Sequence, residues 1–312
     1  MRRSFVVRLI THVVIIGLAE LGTLVGLTGA AAAQQPPPAR KAVTVRVADS
    51  TQVQVIRLRD GSSIVGRVTE VATDTIRFAA TGGTLLLTRA DIVDVRDVAK
   101  SSIRGGEVWP ANPNATRLFF APTGRMLAKG EGYFNDTYLL LLSVQGGVSS
   151  RFNLGGGLSV VPVDNFTDNA LFVTPKIGVV ASPKFNLAVG ALAGFVGAAV
   201  DEGDDASFGI LYGVGTIGSP DASITFGTGL AYAGGQFADR PVAMLGAESR
   251  LGRRVSFVTE NYLIPSDDVQ GVISYGLRFY GEKLSTDVAF WNAPGNFMVF
   301  PGIPYVAISV KF

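Results

Sequence analysis

From residue 133 onward this 312-residue chain alternates apolar side chains with small or polar ones, in segments of about ten residues. In 242–252, Ala243, Leu245, Ala247, Ser249 and Leu251 share one face, while Met244, Gly246, Glu248 and Arg250 share the other. In 272–280, Ile273, Tyr275, Leu277 and Phe279 oppose Ser274, Gly276, Arg278 and Tyr280. The last segment places Val306, Ile308, Val310 and Phe312 opposite Tyr305, Ala307, Ser309 and Lys311. A period of two is that of an extended strand, and it fixes which residues share a face. Helices are disfavoured further by glycine: 27 of the 38 glycines lie between Gly130 and Gly302.

Two architectures share such alternation. A soluble sandwich turns the apolar face inward; a transmembrane barrel turns it out to lipid and lines its interior with small and polar groups. Two features select the barrel. The non-apolar faces are rich in Gly, Ser and Thr instead of the Lys and Glu of a solvated surface. The N-terminus reads as an export signal over 1–33: Arg2, Arg3 and Arg8, an apolar stretch interrupted by Glu20, then Ala31-Ala32-Ala33. The other reading of that stretch is an uncleaved membrane anchor. A Pro-rich spacer follows at 34–41.

The chain has no Cys, and its one His, His12, lies in the signal. Nucleophilic Ser-His or Cys-His chemistry and a zinc or haem site are therefore not expected. No cofactor is expected either, and the net charge of +2 implies no nucleic-acid partner. Gly213 to Gly218 reads G-x-G-x-x-G, but Ser219-Pro220 follows it where a dinucleotide site needs a helix. Glu248 and Glu260 form a carboxylate pair that nothing else supports as catalytic. The chain is read as not an enzyme.

Short turns at 149–151, 182–184, 219–221, 252–254 and 281–283 alternate with longer, more acidic connections. That is the pattern of short periplasmic turns and longer outer loops. Ten strands from 133 to 291 and the C-terminal strand make an odd count, whereas both chain ends are expected on the periplasmic side. The segment 117–127 is therefore assigned as the missing outward strand. The expected fold is all-β: a transmembrane antiparallel barrel of about twelve strands over 117–312. Before it come a small periplasmic β-domain over 42–98 and a linker over 99–116.

Three resemblances bear on this. The ending, alternating apolar residues up to the final Phe312, resembles the C-terminal signature of bacterial outer-membrane barrels. It implies that Tyr305, Val310 and Phe312 are read by the barrel-assembly machinery. The stretch from Pro122 to Tyr133, P-x-x-x-x-L-x-K-G-E-G-Y, looks like the opening of uncharacterised bacterial outer-membrane proteins and implies no activity. In the small domain, Leu58, Asp60, Gly61, Ser62, Gly66 and Val68 with Asp91-Ile92 resemble the Sm-like small barrels. The RNA binding of that family is not carried over, since no basic-aromatic stacking surface accompanies the motif.

Alternation places Lys176, Glu248, Arg250, Glu260, Arg278, Asp287 and Lys311 on interior faces. They read either as a polar lumen that selects a solute or as a paired network that fills a narrow barrel. The expected function is a minor channel or small-solute-binding barrel in the bacterial outer membrane. The alternative is a structural or adaptor barrel with a filled lumen. Expected partners are outer-membrane lipid, the assembly machinery, and a periplasmic partner or the cell wall through 42–98.

Overall fold

The computed structural model describes residues 43–49, 52–163, 166–197, 206–265, 271–294 and 300–312. The expected signal 1–33, the spacer 34–41 and His12 lie outside the described residues. The chain divides into two compact units, one ending at Ala111 and the other beginning at Asn112.

The smaller unit carries a five-stranded antiparallel sheet: β1 (Gln52–Leu58), β2 (Ser63–Val71), β3 (Thr75–Ala80), β4 (Gly83–Thr88) and β5 (Ile92–Ala99). The order is β4-β3-β2-β1-β5, so β4 and β5 are its edges. Alternate positions bury Ile56, Val68, Ile76, Phe78 and Ile92 as one core. Asp60-Gly61 turns β1 into β2: Gly61 has φ 87°, and the Asp60 carboxylate accepts hydrogen bonds from Ser62 N (2.8 Å) and Oγ (2.6 Å). Gln54 is fully buried with both ends of its amide satisfied. Its Nε2 donates to Arg46 O (2.9 Å) and Asp97 Oδ1 (3.0 Å), and its Oε1 accepts from Val68 N (2.9 Å). The expected linker divides. Ile103–Arg104 pairs with Glu107–Val108, and from Asn112 the chain belongs to the larger unit.

The larger unit is a closed antiparallel barrel. Its strands are β6 (Gly132–Thr137), β7 (Leu141–Gly147), β8 (Phe152–Ser159), β9 in two pieces (Ala170–Val173 and Lys176–Ala181), β10 (Phe185–Val196) and β11 (Ser207–Ser219). The wall continues with β12 (Ala222–Ala233), β13 (Val242–Gly252), β14 (Val255–Leu263), β15 (Gly271–Tyr280), β16 (Leu284–Asn292) and β17 (Ile303–Lys311). Each strand pairs with the next, and β17 pairs with β6 to close the ring, which gives twelve strands among the described residues. Closure removes the unpaired edges that an open sheet would expose.

The parity of the wall follows the sequence pattern. Leu245, Leu251, Ile273, Leu277, Phe279, Val306, Ile308, Val310 and Phe312 point outward and are exposed. Glu248, Ser274, Arg278, Tyr305 and Ser309 point inward and are buried. Among the described residues no helix is long and apolar enough to cross a membrane.

The strand count matches the expectation, but its composition does not. Residues 117–127 are not a wall strand. They lie inside the barrel, where Leu118 and Phe119 are fully buried. The twelfth strand comes from 132–147, which folds as a hairpin instead of running straight through. Residues 138–140 join its strands, and Tyr138 and Leu139, at φ 61° and 63°, are the central residues of a turn closed by Leu140 N to Thr137 O (3.1 Å). Both central residues of a type I′ hairpin need positive φ, which Asn and Gly normally supply. Tyr-Leu carries no such signature, so the turn leaves no mark in the sequence.

Candidate functional site

The segment 112–128 is a finger that enters the barrel at the end carrying the short turns. There Asn112 donates to the carbonyl of Pro220 (3.2 Å), and Gly130 N donates to Gly147 O (2.9 Å). Its two limbs pair with each other through Arg117 and Pro122, Leu118 N to Ala121 O (2.8 Å) and Thr123 N to Thr116 O (2.9 Å). Pro122 has no N–H to lose on the returning limb. The tip, Phe119-Phe120-Ala121, packs near the opposite end of the bore. Phe120 lies 5.2 Å from the Trp291 ring and 5.0 Å from Tyr305, and Phe119 lies 5.3 Å from Tyr305.

Interior glycines make the room. A Cβ on Gly246 would sit 2.3 Å from a Leu118 methyl, one on Gly178 2.8 Å from the Met126 side chain, and one on Gly147 2.0 Å from Ala128 O. Gly124 is the converse case, since its own missing Cβ would fall 2.3 Å from Asn186 O in the wall. The glycine-rich inner faces are thus the socket of the finger.

Polar contacts hold it at three levels. At the tip, Glu260 is fully buried and its carboxylate accepts from three successive backbone N–H groups: Phe119 (2.8 Å), Phe120 (3.1 Å) and Ala121 (3.1 Å). Tyr262 Oη adds a fourth donor at 2.7 Å. Successive N–H groups aimed at one anion form a nest, and a hydrogen bond to a charged group is worth roughly 1.5–3 kcal/mol.

In the middle, Arg278 is fully buried and bidentate to Asp287 (2.7 and 3.0 Å), with a further bond to Glu248 (3.1 Å). Its remaining N–H groups donate to the finger carbonyls of Leu118 (2.6 Å) and Arg117 (3.2 Å). Arg117 itself reaches Asp287 at 3.3 Å. On the facing wall, Lys176 Nζ donates to Arg125 O (2.8 Å) and Thr123 O (3.3 Å), and Gly124 N donates to Thr216 Oγ1 (2.8 Å).

Of the seven lumen candidates, Lys176, Glu248, Glu260, Arg278 and Asp287 are brought together around the finger. Arg250 and Lys311 are not. They stand near the short-turn end, where Arg250 pairs with Asp221 (2.7 Å) and Lys311 with Glu131 (2.9 Å). That Lys311 hydrogen bond holds the Glu131 carboxyl below the usual carboxylate range. Tyr305, one of the three assembly-signal residues, is fully buried and donates to Phe119 O (2.9 Å), whereas Val310 and Phe312 face outward. The finger's own Asn112, Asn114, Arg117, Thr123 and Arg125 were not among the candidates. Of these, only Thr123 and Arg125 lie in the stretch from Pro122 to Tyr133 that the sequence singled out.

Between the finger and the inner faces of β6 to β14 lies a cavity of about 270 Å³. Phe120, Leu127, Leu192, Ile210, Val214 and Met244 give it apolar walls, and Arg117, Asn153 and Lys176 also line it. Among the described residues no group of three or more His, Cys, Asp or Glu side chains is placed to hold a metal ion.

No family model matches the chain, and no curated protein is similar to it. Solved structures to which the chain is similar include the NanC porin, at 7% identity and TM-score 0.38, covering 58% of this chain and 97% of that one. A Rhodopseudomonas blastica porin mutant is 13% identical with TM-score 0.33, covering 84% of this chain and 97% of its own. A loop-deletion variant of the Vibrio cholerae outer-membrane protein OmpT is 8% identical with TM-score 0.33, at the same coverage. The strand pairings of the present chain close its barrel independently of these likenesses.

Proposed function

We propose that this chain is a bacterial outer-membrane barrel whose bore is occupied by its own finger, so that it does not work as an open diffusion pore. The outward apolar faces meet lipid, the short turns and the small sheet lie on the periplasmic side, and the chain is exported by its N-terminal signal. The small sheet, whose sequence resembles the Sm-like barrels, is a docking module for a periplasmic partner or the wall. The protein is not an enzyme.

The observation that carries this reading is the seating of 112–128. Every level of the bore crossed by the finger is bonded to side chains of the wall, through Glu260, Arg278 and Lys176. Two more observations support lipid outside and polar groups inside. Residues such as Leu245 and Leu251 are 58% and 62% exposed on the outer surface, while Arg278 and Glu260 are 0% exposed. A charge placed so is retained by its partners, because removing one leaves the other unpaired in a dry interior.

Planar-bilayer recording tests the reading. The full chain is expected to be electrically silent, and a variant lacking 112–128 that still gives the heat-modifiable gel shift of a folded barrel is expected to conduct in discrete steps. Steady open steps from the full chain would overturn the closed-bore assignment and favour a channel.

A further inference from the structure

We propose that the cavity beside the finger binds a small amphipathic monoanion, a carboxylate on an apolar body of about eight carbons. The inference rests on the finger being seated as described, since Phe120 and Leu127 form part of the cavity wall. Size sets the first limit. A cavity of 150 Å³ takes a benzene, so about 270 Å³ suits a molecule of about ten heavy atoms. Most of the accessible lining is apolar, with Gln145, Thr174 and Tyr212 among its polar members, and that disfavours a multiply charged solute.

Charge and hydrogen bonding locate the head group. Among the described residues the buried charged residues are Arg117, Arg125, Lys176 and Arg278 against Glu248, Glu260 and Asp287, and the Arg250 side chain, 3% exposed, is matched by Asp221, which leaves one cation more than the carboxylates. Arg278 and Arg117 share Asp287, and Arg278 also holds Glu248. Lys176 lines the cavity, and its bonds go to the carbonyl oxygens of Thr123 and Arg125, with no carboxylate beside it among the described residues. Directly across the β8–β9 ladder from Lys176 stands Asn153.

Asn153 Oδ1 and Arg117 Nε are buried without a hydrogen-bond partner, on residues 1% and 7% exposed that both line the cavity. Orphaned polar atoms destabilise the fold, and a bound polar group that reached them would relieve that. A carboxylate bound beside Lys176 would accept from its ammonium, and a shift of the Asn153 amide and the Arg117 side chain, both on the same lining, would bring their unpaired groups to that anion.

Calorimetric titration of the full chain in amphipol with octanoate and with octanol tests this. One octanoate site is expected, at least tenfold tighter than octanol. Lys176→Met should erase that difference, and Leu192→Trp, which fills the cavity, should abolish binding of both. Equal affinity for the two probes, no octanoate site, or full octanoate preference in Lys176→Met would overturn the proposal. The octanoate–octanol comparison needs no variant, so it decides the matter even where a substitution fails to fold. A silent bilayer with no octanoate site rejects the ligand alone, and a conducting full chain rejects the closed bore.

Discussion

Arg278 shows how much one inward position can hold. Its guanidinium joins β15 to β16 through Asp287, to β13 through Glu248 and to the finger through two backbone carbonyls. A planar fork of five donors suits that task, and a lysine could not repeat it. Arg278→Met leaves Asp287 and Glu248 buried with too little positive charge, so a loss of about 3–5 kcal/mol is expected, read as a lower urea midpoint for the barrel. The opposite sign is expected at Leu139, which is 65% exposed at φ 63°. A left-handed conformation costs an L-residue roughly 1–2 kcal/mol, and glycine escapes it at some entropic cost. Leu139→Gly should therefore stabilise the β6–β7 hairpin by up to about 1 kcal/mol in the same assay. No change or a loss would show that the turn is not under strain.

The finger and its socket are complementary elements, and glycine is what joins them. Gly178→Leu drives a side chain into Met126, the side chain its Cβ would meet, and overpacking of this kind costs about 1–3 kcal/mol. The expected result is a partly displaced finger, seen as intermittent current, with Met126→Ala in the same chain restoring silence. In the small sheet, a hydrogen bond from Arg46 (2.6 Å), helped by Gln54, holds the Asp97 carboxyl below its usual range. A depressed acid stabilises the fold above its unfolded pKa and loses that contribution as pH falls through its folded value. Amide exchange at β1 and β5, corrected for intrinsic rate, should thus rise below the ordinary carboxylate range. Asp97→Asn should flatten that rise.

Element assignments from the sequence succeeded where one face had to be oily, as in β13, β15 and β17. Two assignments failed together. Residues 117–127 read as a strand because a finger limb is also extended and half apolar, and only contacts from β11, β14 and β15 reveal it as interior. The turn at Tyr138-Leu139 went unread for lack of turn residues. One strand too many and one too few cancelled in the count of twelve. Five of the lumen candidates were legible because an ionisable residue inside an alternating strand has only two faces to choose between. What they bind was not legible, because the partner is backbone that carries no side-chain pattern.

In the proposed function a closed sheet turns its apolar side to lipid and uses its polar side to grip a segment of its own chain. The most direct test is to replace Phe120 with p-benzoylphenylalanine, where the ring lies 5.2 Å from Trp291 and 5.0 Å from Tyr305, and irradiate the membrane-embedded protein. An intramolecular adduct on the peptides carrying Trp291 or Tyr305 is predicted. An adduct with lipid, or none within the barrel, would contradict the placement of the finger and with it the closed bore.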